Sequence, residues 1–436
     1  MNAPLTSMAE SAGSFTALFE SGREALPGAD RPALARRREE ALARFAAAGL
    51  PTRKLEAWKF TSLAALGNAT FSLPATADLD AADLPARLPD SCRLVFVNGR
   101  LNAALSDLDI LPEGLALRRL DDLLGEDENA LDRVFGEWQA GNAMLSLNAA
   151  LAGDALELSV APDAQVPGVL ELLFVNRAGE DLPASHLRHR ITLGRGAGLT
   201  LAERHIGSGR YVSSVATDVR LEANAALQHF RLQDDSLEAQ HLSFLLIEAA
   251  RDARCRSFVL TTGAALSRNE IHATLAGENA EVSLDGAYLL AGRQHGDTTT
   301  VLDHVSAHTS SSETYKGVID DQARGVFQGR IAIARDAQRT QGHQLSKALL
   351  LSDRAGVDAK PELEIYADDV QCSHGATAGE LNDDELFYLR ARGIPEAEAR
   401  GLLIEAFITD LVGDIANEGL RALYLAHIAR WLETRA

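Results

Sequence analysis

Asp218-Val219-Arg220-Leu221-Glu222-Ala223-Asn224-Ala225 is the stretch that decides the fold of this chain. Val219 and Leu221 alternate with Asp218 and Arg220, the period of a strand with one buried face. Ala223-Asn224-Ala225 then supplies a turn of small residues. The same unit recurs on both sides. Leu156–Val160 leads to Asp163-Ala164, Arg190–Leu193 to Gly196-Ala197-Gly198, Phe244–Ile247 to Asp252-Ala253, and His272–Leu275 to Glu278-Asn279-Ala280. Further on, Gly317–Ile319 leads to Gln322-Ala323 and Ile331–Ile333 to Asp336-Ala337. The turn alanines Ala197, Ala225, Ala253 and Ala280 recur with a period of about 27 residues, and Ala323 and Ala337 with about half of it. A strand-turn-strand repeat of that length indicates stacked coils, each burying its apolar residues against the next. A parallel β-helix fits best. A large antiparallel sandwich is the alternative, and the scarcity of hairpin turns counts against it. Residues 285–315 break the period and read as a looser turn or insertion.

The flanks have a different texture. Pro32 opens an amphipathic helix with Leu34, Ala41, Leu42 and Phe45 on one side. Pro51 ends the helical run, and Trp58 beyond it reads as packed, with Arg53 and Lys54 solvated. Arg93–Val97 followed by Asn98-Gly99 is a hairpin signal. Leu131 to Ala152 returns to helical spacing. After Gly379 the chain is helical: Asn382 or Asp383 caps a short helix, Arg392-Gly393-Ile394-Pro395 stops and restarts it, and Asn417 begins the last one. The expected organisation is a mostly helical α/β region at 1–150, a β-helix core at 151–380 and a helical region at 381–436.

Composition narrows the function. The chain has 436 residues, and its 42 basic against 62 acidic residues leave a net charge of −20. Such a chain is a poor partner for nucleic acid or an anionic membrane. Three dispersed cysteines, Cys92, Cys255 and Cys372, fit neither a disulfide framework nor a zinc ribbon. No basic-then-apolar leader and no run long enough to span a bilayer occurs, so a cytoplasmic location is expected. There is no P-loop, nucleophile elbow or H-E-x-x-H motif. Asp234-Asp235 and Asp320-Asp321 lie beside turns, where solvation explains them.

The candidate site lies where the repeats end. In Asp369-Val370-Gln371-Cys372-Ser373-His374-Gly375-Ala376-Thr377, a continued strand puts Cys372 and His374 on one face, about 6.6 Å apart along the chain. Thiolate and imidazole suit a soft or borderline metal such as iron or zinc. A buried thiol beside a backbone-bonded histidine is the structural reading, and spacing alone leaves both open. His304 and His308 could chelate a metal only on a helix; on a strand they stand about 13 Å apart.

Pro361–Ile365, Asp369–Thr377 and Phe387-Tyr388-Leu389-Arg390-Ala391-Arg392-Gly393-Ile394 together resemble the SufB/SufD family of iron–sulfur cluster assembly proteins. Tyr315-Lys316-Gly317 and Gln341–Gln344 add to the likeness. Pro51–Lys54 with Glu56, Trp58 and Lys59, and the low cysteine count, favour the SufD branch. The resemblance runs from about residue 50 to the end. It implies a right-handed parallel β-helix flanked by helical regions, acting as a non-catalytic scaffold. It also implies pairing with a SufB-like subunit through the β-helices and binding of a SufC-like ATPase by the C-terminal helices, with a homodimer as an option in isolation. No tightly bound cofactor is implied, only transient iron or a nascent cluster at the SufB interface. The matching site residue is His374, with Cys372 beside it. A carbohydrate lyase or hydrolase on a β-helix is the alternative, but no row of carboxylates or basic residues along successive coils supports it.

Overall fold

The computed structural model describes residues 6–125, 128–136, 138–178 and 181–434. Strands follow one another from Asp154 to Gly379 and fall alternately into two sheets, one of ten strands and one of nine. Gln240–Ala249 lies between Val212–Leu221 and Leu266–Leu275, parallel to both, and the intervening strands build the opposite sheet. This is a parallel β-solenoid, and the antiparallel sandwich is excluded. Side-chain ladders show the repeat: Arg190 to Asp218, Glu203 to Arg231 and His229 to Ser257 each bridge 28 positions.

The turns explain why the alanines recur. Gly196, Asn224, Asp252 and Asn279 all have φ near +60 to +70°. Glycine, asparagine and aspartate tolerate this left-handed region best. The next residue, Ala197, Ala225, Ala253 or Ala280, points into the core and is fully buried. Turns also stack through backbone bonds, as from the Asn224 amide to the Arg251 carbonyl (2.9 Å) and from the Asp252 amide to the Glu278 carbonyl (2.9 Å).

The expected break at 285–315 is absent. Glu281–Leu290, His295–His304 and Ser310–Ile319 are regular strands with neighbours in register. The next turn uses His308 (φ 60°) and Thr309 in the roles of asparagine and alanine. Thr309 is buried there because its hydroxyl bonds the Ser306 carbonyl and the Thr340 hydroxyl.

The apolar core between the sheets runs from Leu94 and Phe96 to Ile331 and Ile333. Both outer faces are also covered. The helices Thr6–Gly22 and Pro32–Ala48 place Phe15 and Phe45 in a cluster with Val212, Ala216 and Phe244 of the nine-stranded sheet. The helices Glu396–Gly413 and Glu418–Glu433 place Ile404, Ile408, Tyr424 and Ile428 against Phe230, Phe258 and Leu289 of the ten-stranded sheet. Burial on both faces is why Val169–Arg177 is buried from Val169 to Asn176 without a break, its one carboxylate, Glu171, being paired with Arg93 and Arg204. Trp58 is buried, and the Arg268 guanidinium stacks on it at 3.9 Å.

The two ends of the solenoid differ. At one, Ser91–Val97 joins the ten-stranded sheet and turns through Asn98 and Gly99 (φ 49° and 76°) into antiparallel Arg100–Leu101. Leu115–Arg119 closes the other sheet there, also antiparallel. At the far end, Gly356–Ile365 and Val370–Gly379 are the last strands, each with a neighbour on one side only. The helical run expected at 131–152 forms two helices, Glu128–Phe135 and Ala143–Leu151.

Candidate functional site

The site sits on that open end. Val370–Gly379 pairs with Thr340–Leu350 so that Cys372 lies beside Gly342, Ser373 beside His343 and His374 beside Gln344. Strand alternation then divides the motif. Ser373 takes the outer side, where its hydroxyl meets His343 Nδ1 at 2.9 Å. Cys372 and His374 share the side that faces the solenoid interior. Cys372 is half-buried against the edge of the core, its Sγ 3.6 Å from where a side chain on Gly342 would begin. Burial pushes its thiol pKa up, and a hydrogen bond with the Gly342 backbone offsets this in part. His374, with no coil beyond it, is exposed. Pro361 lies in the other terminal strand, a position where a missing N–H is tolerated.

The two predicted donors are thus on one face and accessible. No third donor joins them: among the described residues no group of three or more His, Cys, Asp and Glu could hold a metal ion. A thiolate and an imidazole alone leave a metal open to ligands from another molecule. His304 and His308 do not form a site. His304 is buried, with its ring nitrogens meeting the Thr309 and Ser311 hydroxyls at 2.8 and 2.9 Å, and His308 sits in the turn.

Asp235 is a correction. It is buried rather than solvated, receives the Tyr211 hydroxyl at 2.7 Å and the Gln233 amide at 2.9 Å, and lies 3.1 Å from His241. It belongs to an interior polar row with Glu203, His205, His229 and Arg231, continued towards the open end by Glu313 and Gln344. Sequence reading missed this row. Its one signal is polar residues at positions that share the parity of core residues, as Glu203 and His205 do with Leu199 and Leu201.

A second accessible surface lies on the terminal helices. Asp383–Ala391, capped by the Asn382 side chain, buries only Leu386 and leaves Phe387 and Tyr388 72% and 57% exposed. Lys316 fastens the next helix to the solenoid: its Nζ donates to the Phe407 carbonyl (2.8 Å) and to Asp410 (2.6 Å). No helix among the described residues is long and apolar enough to cross a membrane.

Known proteins share this layout in sequence. Residues 174–407 match the family described as SUF system FeS cluster assembly, SufBD core domain, and residues 9–172 match the SufBD protein N-terminal region. The iron–sulfur cluster assembly protein SufD of Escherichia coli is 34% identical over 88% of this chain and 90% of its own length. A SufBD family protein of Synechocystis is 30% identical over 90% of each chain. The chloroplastic protein ABCI7 of Arabidopsis thaliana is 26% identical over 94% of this chain and 88% of its own. The core match alone covers more than half of the sequence, with the open-end motif inside it, and the chain belongs to the SufB/SufD family of iron–sulfur cluster assembly proteins.

Proposed function

We propose that this chain is a non-catalytic scaffold subunit of an iron–sulfur cluster assembly complex, and that its open solenoid end pairs with a SufB-like subunit. The observation that carries this is the pair Cys372 and His374: accessible, on one face and, among the described residues, without a third donor of their own, on a terminal strand whose outer edge has no neighbour. An unpaired strand edge is a template for pairing with another chain. A second solenoid laid on that edge would bring its own donors beside His374. Iron and sulfide are then cargo, held while a cluster forms, and His374 is an iron ligand. The exposed Phe387 and Tyr388 belong to the surface, 381–436, that we assign to a SufC-like ATPase, whose ATP-driven motion would expose the interface.

Co-expression with the SufB-like and SufC-like proteins of the same source tests this. One copy each of this chain and the SufB-like chain with two of the SufC-like chain is the expected stoichiometry. In that complex His374→Ala is expected to keep assembly and melting temperature but to lower iron and sulfide loading. Unchanged loading removes His374 from the role, and purification of the chain without either partner overturns the reading.

A further inference from the structure

Two buried polar side chains stand beneath His374. Strand register stacks Glu313, Gln344 and His374 on three successive strands of the ten-stranded sheet. Register partners in a parallel sheet face the same way, about 4.8 Å apart per step. Gln344 is only 2% exposed and donates Nε2 to Glu313 Oε2 at 2.6 Å. On the facing sheet, Gly329 makes room for the amide. A Cβ there would stand 2.1 Å from Gln344 Nε2 and 2.9 Å from the Phe327 ring. The amide is therefore held by a carboxyl on one side and closely packed backbone on the other. Its remaining polar atom, Oε1, is buried and has no hydrogen-bond partner among the described residues. Leaving such an acceptor unpaired costs about 1–3 kcal/mol, so a partner for it is expected.

The neighbour one strand above is an imidazole. A histidine that ligates a metal through one ring nitrogen donates its other N–H to an oxygen acceptor, which fixes tautomer and orientation. We propose that Gln344 is a positioning residue for His374: its amide oxygen, unpaired in this structure, accepts the His374 ring N–H when the exposed ring turns over it, Glu313 holds the amide in that orientation, and the second ring nitrogen is left for ferrous iron. The role deepens the reading of His374 as an iron ligand and rests on it. Burial pushes the Glu313 carboxyl up to about 7, with the Thr300 hydroxyl and the Gln344 amide lowering it and Asp285 raising it. Near neutral pH the carboxylate form is thus available to receive the amide.

The test is the tautomer of His374 in the full-length chain with nitrogen-15 labelled histidine, followed by imidazole NMR at pH 8. The signal is assigned by its loss in His374→Gln. The wild type is expected to hold one neutral tautomer. Gln344→Met and Glu313→Gln are each expected to give a mixture, with the buried His205 and His229 signals unchanged as the control for fold. If Gln344→Met does not fold, the isosteric Glu313→Gln carries the test. An unchanged His374 tautomer in the folded variants overturns the proposal, as does a mixture in the wild type. In the assembled complex, Gln344→Met is expected to weaken ferrous iron binding about 10- to 100-fold. The tautomer needs neither iron nor a partner, so its failure is distinct from failure of the scaffold reading.

Discussion

At the scale of residues, the protein depends on histidines kept neutral. Burial lowers the pKa of His186 to about 3 and of His189, His205 and His304 to about 4, from an ordinary 6.5. The unfolded chain binds protons at these sites first, so their stability is present above pH 6.5 and lost as pH falls towards 4. Three acids oppose this: burial raises Glu313 to about 7, Asp285 to about 6 and Asp154 above its ordinary value, and all three favour the folded state on acidification. Glu270, held near 2 by Arg268 and His272 against its burial, contributes a loss only below about 4.5. The histidines outnumber the raised acids, so melting temperature is expected to fall between pH 7 and pH 5. His189 lies among Phe96 and Phe174, and neither ring nitrogen has a hydrogen-bond partner among the described residues. His189→Phe is therefore expected to fold and to make the fall with acid shallower, by a few kcal/mol across the window; an unchanged slope in urea titrations at several pH values would refute it. The motif Cys372-Ser373-His374 was legible in sequence because strand parity alone puts its first and third residues together. Glu313 and Gln344 were not, since Ser310-Ser311-Ser312-Glu313-Thr314 is polar at both parities and hides which side faces in.

At the scale of elements, the turn is the readable unit and the long-range strand is not. A left-handed residue followed by a small buried one is a local pattern, so the repeat shows in the sequence. Asn224→Val places a branched side chain at φ 61° and is expected to cost about 1–2 kcal/mol, while Asn224→Gly stays near neutral; urea midpoints decide between them. His308-Thr309 breaks the lettering of the pattern while keeping its geometry, which is why residues 285–315 read as an interruption. Ser91–Val97 was legible as half of a hairpin, but its solenoid partner Val169–Val175 lies far along the chain and no local signal announces it. The attachment of the helix Glu396–Gly413 is likewise non-local. Lys316 is buried, spans to Phe407 and Asp410, and lies 5.0 Å from the Phe407 ring. Lys316→Met keeps the stem and loses charged hydrogen bonds of about 1.5–3 kcal/mol each, a gain discounted here by the exposure of Asp410. Hydrogen exchange is expected to quicken in that helix and not in the strands; uniform protection would show that apolar packing alone holds it.

At the scale of the whole molecule, the two ends of the solenoid decide how it assembles. One end finishes in the short antiparallel strands Arg100–Leu101 and Leu115–Arg119, and the other in the long parallel strands Gly356–Ile365 and Val370–Gly379. A stack with long pairing edges at both ends would polymerise, whereas very short edge strands are poor templates, so this one is satisfied once, at its long-stranded end. The surface at that end includes Ile365 and Tyr366, 41% and 66% exposed. In the absence of other subunits, the chain is therefore expected to reach a dimer and nothing larger. Each copy carries a formal net charge of −20, so the pair repels itself over the screening length, and dimer formation is expected to strengthen as salt rises from 0.01 M to 0.15 M. Ile365→Lys combined with Tyr366→Lys alters only exposed side chains, so it should return the chain to a monomer with little change in melting temperature. Sedimentation over a range of concentration and salt measures all three outcomes. Species beyond the dimer would mean that the short-stranded end also pairs, and a dimer that survives the double substitution would place the contact elsewhere on the surface.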